Sequence, residues 1–292
     1  MSTTLTLTRG NHGVRKPSPH HRPFRAYTRR DLERIAPLRR LSAERRFAMQ
    51  VVSSVLPFRV NDYVIEELID WDRVPEDPIF QLTFPQPGML HPIHFTRLAR
   101  LARRDPDGEV LAEAARIIRD ELNPHPAGQI EHNTPCLTDG EPIFGLQHKY
   151  HETLLFFPSQ GQTCHAYCSF CFRWAQFIGD KTLRIATHEA NRLQSYLRQH
   201  HQISDLLVTG GDPMVMKTSH LAAYLEPLLR PEFSHVETIR IGTKAISFWP
   251  FRFLTDPDSD DLLALFERLT TAGKHLALMA HFNHWRELET EV

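Results

Sequence analysis

The stretch QTCHAYCSFCFR, residues 162–173, is the part of the chain around which the rest can be organised. It holds three of the four cysteines, Cys164, Cys168 and Cys171, within eight residues and at C-x3-C-x2-C spacing. Thiolates are soft ligands that suit zinc, copper(I) and iron–sulfur clusters. A [4Fe–4S] cluster is normally held by four cysteines. Three thiolates in one loop would therefore bind three irons and leave the fourth iron open to a substrate or cofactor.

Two simpler interpretations of this loop stay open. Structural zinc takes four ligands, usually from two cysteine pairs or from cysteines and histidines, and His165 could supply the fourth ligand here. The three cysteines could also be buried structural thiols without a metal. The fourth cysteine, Cys136, lies far from the loop in sequence and is predicted to be an ordinary thiol.

The composition excludes several classes of protein. The 292 residues are 41% hydrophobic and 24% charged, which is ordinary for a globular protein. The net charge of −1 predicts no general attraction to nucleic acid. No apolar run approaches the roughly 18 residues of a membrane-spanning helix. Clustered cysteines without a disulfide framework indicate a reducing compartment, so we predict a cytoplasmic protein.

Three regions follow one another along the chain. Residues 1–25 contain no acidic residue and are predicted to form a disordered basic arm. Residues 26–144 form a helical N-terminal region, in which Ser42 is expected to cap a helix over Ala43–Leu56. A second helical stretch over residues 92–122 is interrupted at residues 105–108. Residues 145–292 have a different pattern, in which strands alternate with helices.

This last region predicts an α/β fold. The strands are expected at Leu154–Pro158, Asp205–Thr209, Thr238–Thr243 and Leu276–Ala280. The helices between them are expected at His188–His200, Ser219–Leu229 (capped by Thr218 or Ser219) and Asp260–Ala272. Such alternation indicates a parallel sheet or a β/α barrel. Catalytic groups are then expected at the carboxyl ends of the strands.

Polar segments follow each predicted strand. The cysteine loop follows the first strand, and Thr209–Pro213, with the sequence TGGDP, follows the second. Its paired glycines would let the backbone approach a ligand closely, and Asp212 could accept hydrogen bonds from an amine or from ribose hydroxyls. Arg240–Lys244 and His281–His284 belong to the third and fourth strands. Each segment alone could be a structural turn, but four in succession indicate a shared site.

The cysteine spacing, with Phe170 before the last cysteine, resembles the radical S-adenosylmethionine (SAM) superfamily. The order of the motifs resembles the lysine 2,3-aminomutase family more specifically, over roughly residues 60–290. The matching segments are Asp77-Pro78, Pro126–Gln129, Gly145–Tyr150, the cysteine loop, Thr209–Pro213, Arg240–Thr243 and His281–Asn283.

This resemblance implies a partial TIM-type (β/α) barrel and three cofactors: a [4Fe–4S] cluster, SAM and pyridoxal phosphate (PLP). In the family, SAM chelates the open iron and is cleaved to a 5′-deoxyadenosyl radical. PLP holds the substrate amine while the amino group migrates. An electron donor such as flavodoxin or ferredoxin is implied, and an oligomer is compatible with the family.

The resemblance also implies roles at the cysteine loop. Cys164, Cys168 and Cys171 look like the cluster ligands. Arg173 matches an arginine that binds the substrate carboxylate, a task for which the guanidinium fork is suited. Lys149 could hold a phosphate or carboxylate, although a lysine at the start of a strand is more often solvated.

Further roles fall on the strand ends. Gly210, Gly211 and Asp212 look like the turn that receives the amine of SAM, with Arg240 and His281 as second contacts to the cofactor.

This sequence departs from the family pattern in three places. Trp174 stands where many aminomutases have a second arginine, and a helical stretch near residues 88–122 resembles an insertion. The family's barrel has six β/α units, and its PLP-binding lysine lies beyond the point that matches Val292. We therefore expect a C-terminally incomplete barrel of about four strands, in which no lysine can be assigned to PLP.

The expected function is radical SAM migration of an amino group on lysine or a related amino acid. One alternative is a relative that acts on a protein-bound lysine, as in modification of elongation factor P. Another is a non-catalytic iron–sulfur or zinc binding module.

Overall fold

The computed structural model describes residues 22–122, 124 and 128–289. Residues 1–21 of the predicted arm therefore lie outside the described residues. The end of the arm packs against the folded chain. Arg22 forms an ion pair with Glu67 at 3.1 Å, and the Phe24 ring meets the Trp249 ring edge-on at 4.9 Å between centroids.

The described strands belong to two sheets. They are β1 (Ala26–Thr28), β2 (Arg59–Asn61), β3 (Leu146–Gln147), β4 (Thr153–Phe156), β5 (Asp205–Val208), β6 (Thr238–Thr243) and β7 (His275–Ala280). β1 and β2 pair in antiparallel fashion inside the region expected to be helical. The other strands form one sheet in the order β3-β4-β5-β6-β7.

The sheet confirms the predicted α/β fold. The four expected strands correspond to β4, β5, β6 and β7, which pair in parallel. β3 was not predicted, because two residues are too short to give a pattern, and it pairs antiparallel with β4. Parallel strands need a crossover between them, and helices provide the three crossovers as expected.

The α-helices are α1 (Ala43–Val52), α2 (Pro78–Thr83), α3 (Pro92–Arg104), α4 (Glu109–Glu121), α5 (Gln129–Asn133), α6 (Ala190–Gln199), α7 (Thr218–Leu225), α8 (Ala245–Phe248), α9 (Phe251–Leu254) and α10 (Ser259–Thr271). Ser42 caps α1 as predicted, because its side chain accepts a hydrogen bond from the Arg45 amide. α3 and α4 reproduce the expected interrupted helix. No helix in the described ranges is both long and apolar enough to cross a membrane.

Several predicted helix ends are wrong. α6 covers Ala190–Gln199 rather than His188–His200, and α7 ends at Leu225 rather than Leu229, because Glu226–Leu229 form a 3-10 helix that contains Pro227. α1 ends at Val52 rather than Leu56, where the hydroxyls of Ser53 and Ser54 bond back to carbonyls of the last turn. α7 begins after Lys217 without a side-chain cap. Both expected caps, Thr218 and Ser219, lie inside the helix, and Thr218 donates its own amide to the Asp258 carboxylate at 2.6 Å.

The two faces of the sheet differ. Leu206 and Val208 of β5 and Ile239 and Ile241 of β6 are fully buried in one core with the crossover helices. The alternate residues, including Leu207 and Arg240, are only half-buried on the opposite face. This alternation follows from the two-residue period of a strand. Because β4–β7 run parallel, their carboxyl ends meet at one edge of the sheet. The predicted polar segments lie at this edge.

The N-terminal region contacts that edge. A second core, containing Tyr63, Phe80 and Phe84, also includes Ala166 of the cysteine loop and Trp249. A third core lies between α1, α3 and α4. The domain boundary at residues 144/145 stays a prediction.

Candidate functional site

The cysteine loop follows β4 and is held by the N-terminal region. Arg59 of β2 donates from Nε to the carbonyl of Cys164 at 2.7 Å, and its own carbonyl accepts the Tyr167 amide at 3.0 Å. The Ser169 amide donates to the carbonyl of Leu82 at 2.7 Å. The fold of the loop is thus set by residues about 100 positions earlier in the chain.

Cys164, Cys168 and Cys171 are free, half-buried thiols on this loop. Burial raises the pKa of Cys164 well above its usual value, with further contributions from Asp212 and the neighbouring thiols. Burial likewise raises the pKa of Cys168 to about 12, although Lys244 opposes the shift, and it raises the pKa of Cys171. Without a bound cation, all three are therefore neutral at pH 7.

The three thiols do not converge on one point. Among the described residues, no group of three or more His, Cys, Asp or Glu side chains is placed to hold a metal ion. A single metal ion needs its ligands to meet at one point. A [4Fe–4S] cluster does not, because each thiolate binds a different iron atom. Cys136 is exposed and lies on a separate segment, in a β-bridge with Pro142, as expected of an ordinary thiol.

The glycine turn after β5 packs directly on the start of the cysteine loop. Gly210 has a φ of +139°, and a Cβ there would lie 2.1 Å from the Gln162 side-chain nitrogen. A Cβ on Gly211 would lie 2.0 Å from the backbone oxygen of Thr163. The two glycines are therefore required for the contact between the two segments.

Asp212 joins the ends of two strands. It is 1% exposed. Its Oδ1 accepts from the Met214 amide at 2.9 Å and from the Thr243 hydroxyl at 2.7 Å, and its Oδ2 accepts from the Lys244 amide at 2.8 Å. The ring of His165 lies 3.6 Å from the same Oδ2. The carboxylate is thus engaged with protein groups, and Oδ2 accepts one hydrogen bond from the described residues, which leaves it capacity for a second.

His281 lies beside the cysteine loop as the shared-site hypothesis expects. Its ring is 5.7 Å from that of Phe170, and its amide donates to the Thr243 carbonyl at 3.0 Å. Burial and the nearby Lys244 ammonium lower the pKa of His281, so the ring is neutral at pH 7.

Arg240 is engaged elsewhere. Its guanidinium binds both carboxylate oxygens of Asp205, with Nε 2.8 Å from Oδ1. The Thr153 hydroxyl donates to the same carboxylate at 2.7 Å. Asp205 and Thr153 are the first residues of their strands, so this network turns Arg240 toward the amino end of the sheet. The structure does not bring its guanidinium together with the cysteine loop.

Arg173 is a cation packed among aromatic rings. Its guanidinium carbon lies 4.5 Å from the centre of the Phe157 ring and 5.0 Å from that of Phe172. Burial lowers its pKa to about 10, with Cys171 acting in the opposite direction. Among the described residues no carboxylate pairs with Arg173, so the N–H donors of its guanidinium are available to an anion.

The sequence named His165 only as a possible zinc ligand and Lys244 only as part of a polar segment, and it gave no indication of Glu287. His165 is 1% exposed, and neither ring nitrogen has a hydrogen-bond partner among the described residues. It faces Asp212 and Phe24. Lys244 and Glu287 form a buried ion pair next to His281. Lys149, by contrast, is exposed, with its ammonium 5.7 Å from the Tyr150 ring centre.

Comparison with known proteins gives related sequences but no matching family model. A protein of Aquifex aeolicus named "Putative L-lysine 2,3-aminomutase" is 33% identical over 250 residues, which are 85% of this chain and 54% of that relative. The L-lysine 2,3-aminomutase of Methanococcus maripaludis is 26% identical over 153 residues, 52% of this chain and 32% of the relative. That of Acetoanaerobium sticklandii is 28% identical over 158 residues, 54% of this chain and 35% of the relative. The chain thus spans about half the length of the first relative and about a third of the other two.

Proposed function

Because this chain is a relative of the lysine 2,3-aminomutases, as its motifs predicted, we propose that it forms the cluster- and SAM-binding part of a radical SAM aminomutase. The observation that carries the proposal is the position of the three cysteines. They lie at the carboxyl edge of a parallel sheet, against the TGGDP turn and beside His281. In this proposal the sheet is part of a partial β/α barrel, and the clustered thiols belong to a reducing compartment such as the cytoplasm.

The donor set of the loop fits a [4Fe–4S] cluster. Three thiols lie on one segment, and burial disfavours thiolates there unless a positive group is bound. When bound, the cluster with SAM would supply a radical that abstracts hydrogen from the substrate. The chain's own contribution is to hold the loop, through Arg59 and the contact of Gly211 with Thr163.

Asp212 acts in this proposal mainly by positioning. Two of its hydrogen bonds, from the Thr243 hydroxyl and the Lys244 amide, fix the turn after β5 against the end of β6, and the bond from the Met214 amide lies within the turn. The remaining lone pair of Oδ2 is the place where it could accept from the SAM amine. Arg240 is a weaker candidate for a SAM contact, since Asp205 holds its guanidinium.

Arg173 is proposed to bind the carboxylate of an amino-acid substrate. Its guanidinium lies two residues after the last cysteine and has no acidic partner among the described residues. Rings of Phe157 and Phe172 flank it, which restricts its orientation. A carboxylate bound there in a bidentate manner would be held next to the cluster loop.

The two buried lysines of the barrel region do not present a free amine to PLP. Lys244 donates to Glu287, Asn283 and the His281 carbonyl. Lys274 donates to the carbonyls of Phe233 and Val236 at 2.8 and 2.7 Å. We therefore propose that neither forms an imine with PLP, and that residues 1–292 alone produce no β-lysine from L-lysine, SAM, PLP and reductant. Formation of β-lysine by this chain would refute that part of the proposal.

The decisive experiment is anaerobic reconstitution followed by iron, sulfide and zinc analysis. We expect about four irons and four sulfides per chain. The variants C164A, C168A and C171A should each lose the cluster, whereas C136A, the matched control, should retain it. Stoichiometric zinc without iron would refute the radical SAM assignment and favour the zinc interpretation.

A further inference from the structure

A positively charged cleft lies on the N-terminal side of the cysteine loop. Its volume is about 1140 Å³. The charged residues that line it are four basic and two acidic: Arg29, Arg30, Arg59, Arg119, Glu33 and Asp107. One further acid, Asp180, is close enough to influence Arg119. The cleft therefore has an excess of positive charge in a chain whose net charge is −1.

Backbone carbonyls rather than carboxylates hold Arg29, Arg59 and Arg119 in this cleft. Arg119 donates to the carbonyls of Ser54 and Val55 at 2.6 and 2.8 Å. Arg29 donates to the carbonyl of Pro106 at 3.0 Å. Its approach to Asp107 is long, at 3.9 Å, and the Asp107 side chain is 91% exposed. A carbonyl positions a guanidinium without neutralising it, so these positive charges remain available to an anionic partner.

The same cleft reaches the outer side of the cysteine loop. Tyr167, which precedes Cys168, lines the cleft, and its ring stacks on Phe177 at 4.7 Å between centroids. A small adjoining hollow of about 60 Å³ shares Tyr167 with the cleft and is lined by Cys168 and Cys171. A partner in the cleft would therefore lie next to two of the three thiols.

We propose that this arginine cleft is the docking surface for an acidic one-electron carrier protein of the flavodoxin class. The inference rests on the proposed function, since a cluster of this kind must receive an electron from outside the chain. In the step, the reduced carrier loses one electron and the oxidised cluster gains it, with no proton transferred and no bond formed. Complementary charge would speed the encounter and fix its orientation.

The test compares two charge-matched double variants. R29Q/R30Q removes two charges from the cleft, and R97Q/R100Q removes two from the exposed surface of α3, outside it. Binding of a purified flavodoxin to the chain without cluster should be about five- to tenfold weaker in R29Q/R30Q at low salt. The salt dependence of binding should also be smaller, and R97Q/R100Q should match the parent.

A second readout uses the reconstituted protein. Reduction of the cluster by reduced flavodoxin should slow in R29Q/R30Q, whereas reduction by dithionite should be unchanged. Equal flavodoxin binding in the two double variants would overturn the docking proposal. The docking proposal would also be overturned if the parent bound inorganic phosphate, and R29Q/R30Q lost this phosphate binding but still bound flavodoxin. If the proposed function itself were wrong, the reconstituted chain would contain no iron–sulfur cluster, and this result is distinct from a loss of flavodoxin binding.

Discussion

The ammonium of Lys244 lies 2.9 Å from a carboxylate oxygen of Glu287, and the two side chains are 6% and 0% exposed. Lys244 follows β6, whereas Glu287 belongs to the short helix Trp285–Leu288 after β7. The second carboxylate oxygen accepts from the amides of Asn283 and His284 at 3.0 and 3.2 Å. The pair thus fixes the segment that carries His281 against the end of the neighbouring strand.

The first prediction is that E287Q strongly destabilises the chain. The substitution leaves the buried Lys244 ammonium without a counter-charge, which typically costs about 3–5 kcal/mol. The free energy of unfolding, measured in urea, should fall by that amount.

The matched control for that variant is E226Q. Glu226 pairs with Arg268 at 2.6 Å, but both side chains are about half exposed. Such pairs contribute about 0–1 kcal/mol. Similar losses in E287Q and E226Q would mean that the buried pair does not organise this end of the sheet.

The second prediction concerns Gly211, which the family resemblance assigned to the turn that receives SAM. In the structure, a side chain at this position would first collide with the cysteine loop. Its Cβ would also lie 2.4 and 2.6 Å from the backbone carbon and nitrogen of Thr163. Backbone atoms cannot move aside as a flexible side chain does, so G211A should displace the cysteine loop. We expect a loss of about 1–3 kcal/mol in the free energy of unfolding and a lower iron content after reconstitution.

Gly242 provides the comparison for that variant. It lies near the end of β6, and a Cβ there would meet only the Thr209 hydroxyl, at an ordinary 3.7 Å. G242A should therefore retain the parent's stability and iron content. Normal iron content in G211A would show that the loop tolerates the displacement and that the turn serves SAM alone.

The strands and the order of the motifs could be predicted because each depends on a local pattern. Val208 ends a short apolar run, Ile241 lies in a stretch where apolar and polar residues alternate, and a polar segment follows each of them in the sequence. The parallel pairing then brings the segments to one edge without further information. The positions of Gly210 and His281 next to the cysteine loop follow from this alone.

Partners that are distant in sequence could not be predicted. The family resemblance assigned Arg240 to the cofactor, and nothing in the sequence links it to Asp205, 35 residues earlier. Lys244 and Glu287 are 43 residues apart, and Arg59 reaches Cys164 across 105 residues. In each case the side chain's role depends on packing of separate elements rather than on spacing.

The third prediction is that stability falls as the pH drops below 7, partly because of His235. Burial, and then the neighbouring His201, lower the pKa of His235 below the usual 6.5, and the two rings are 4.6 Å apart. The unfolded chain therefore binds this proton at a higher pH than the folded chain. The stability that neutral His235 contributes is present above pH 6.5 and is lost as the pH falls toward the lowered pKa.

H235Q should accordingly weaken the pH dependence of the unfolding free energy between pH 7 and pH 5. The control is H220Q on the exposed surface of α7, which should leave that dependence unchanged. If H235Q and the parent lose stability in parallel over this range, His235 is not one of the responsible groups.

The last prediction concerns β7, which lies at the edge of the sheet opposite β3. β6 pairs with one side of it over all six residues, and no described strand pairs with the other side. Met279 on this strand is 48% exposed. An open, apolar strand edge promotes association between chains, and a lysine on an edge strand opposes it. The parent should therefore associate as its concentration rises, and M279K should associate less in sedimentation velocity.

The control L263K places the same charge on α10, at a leucine that is 45% exposed, and should associate like the parent. Equal suppression by the two lysines would attribute the effect to net charge rather than to the edge of β7.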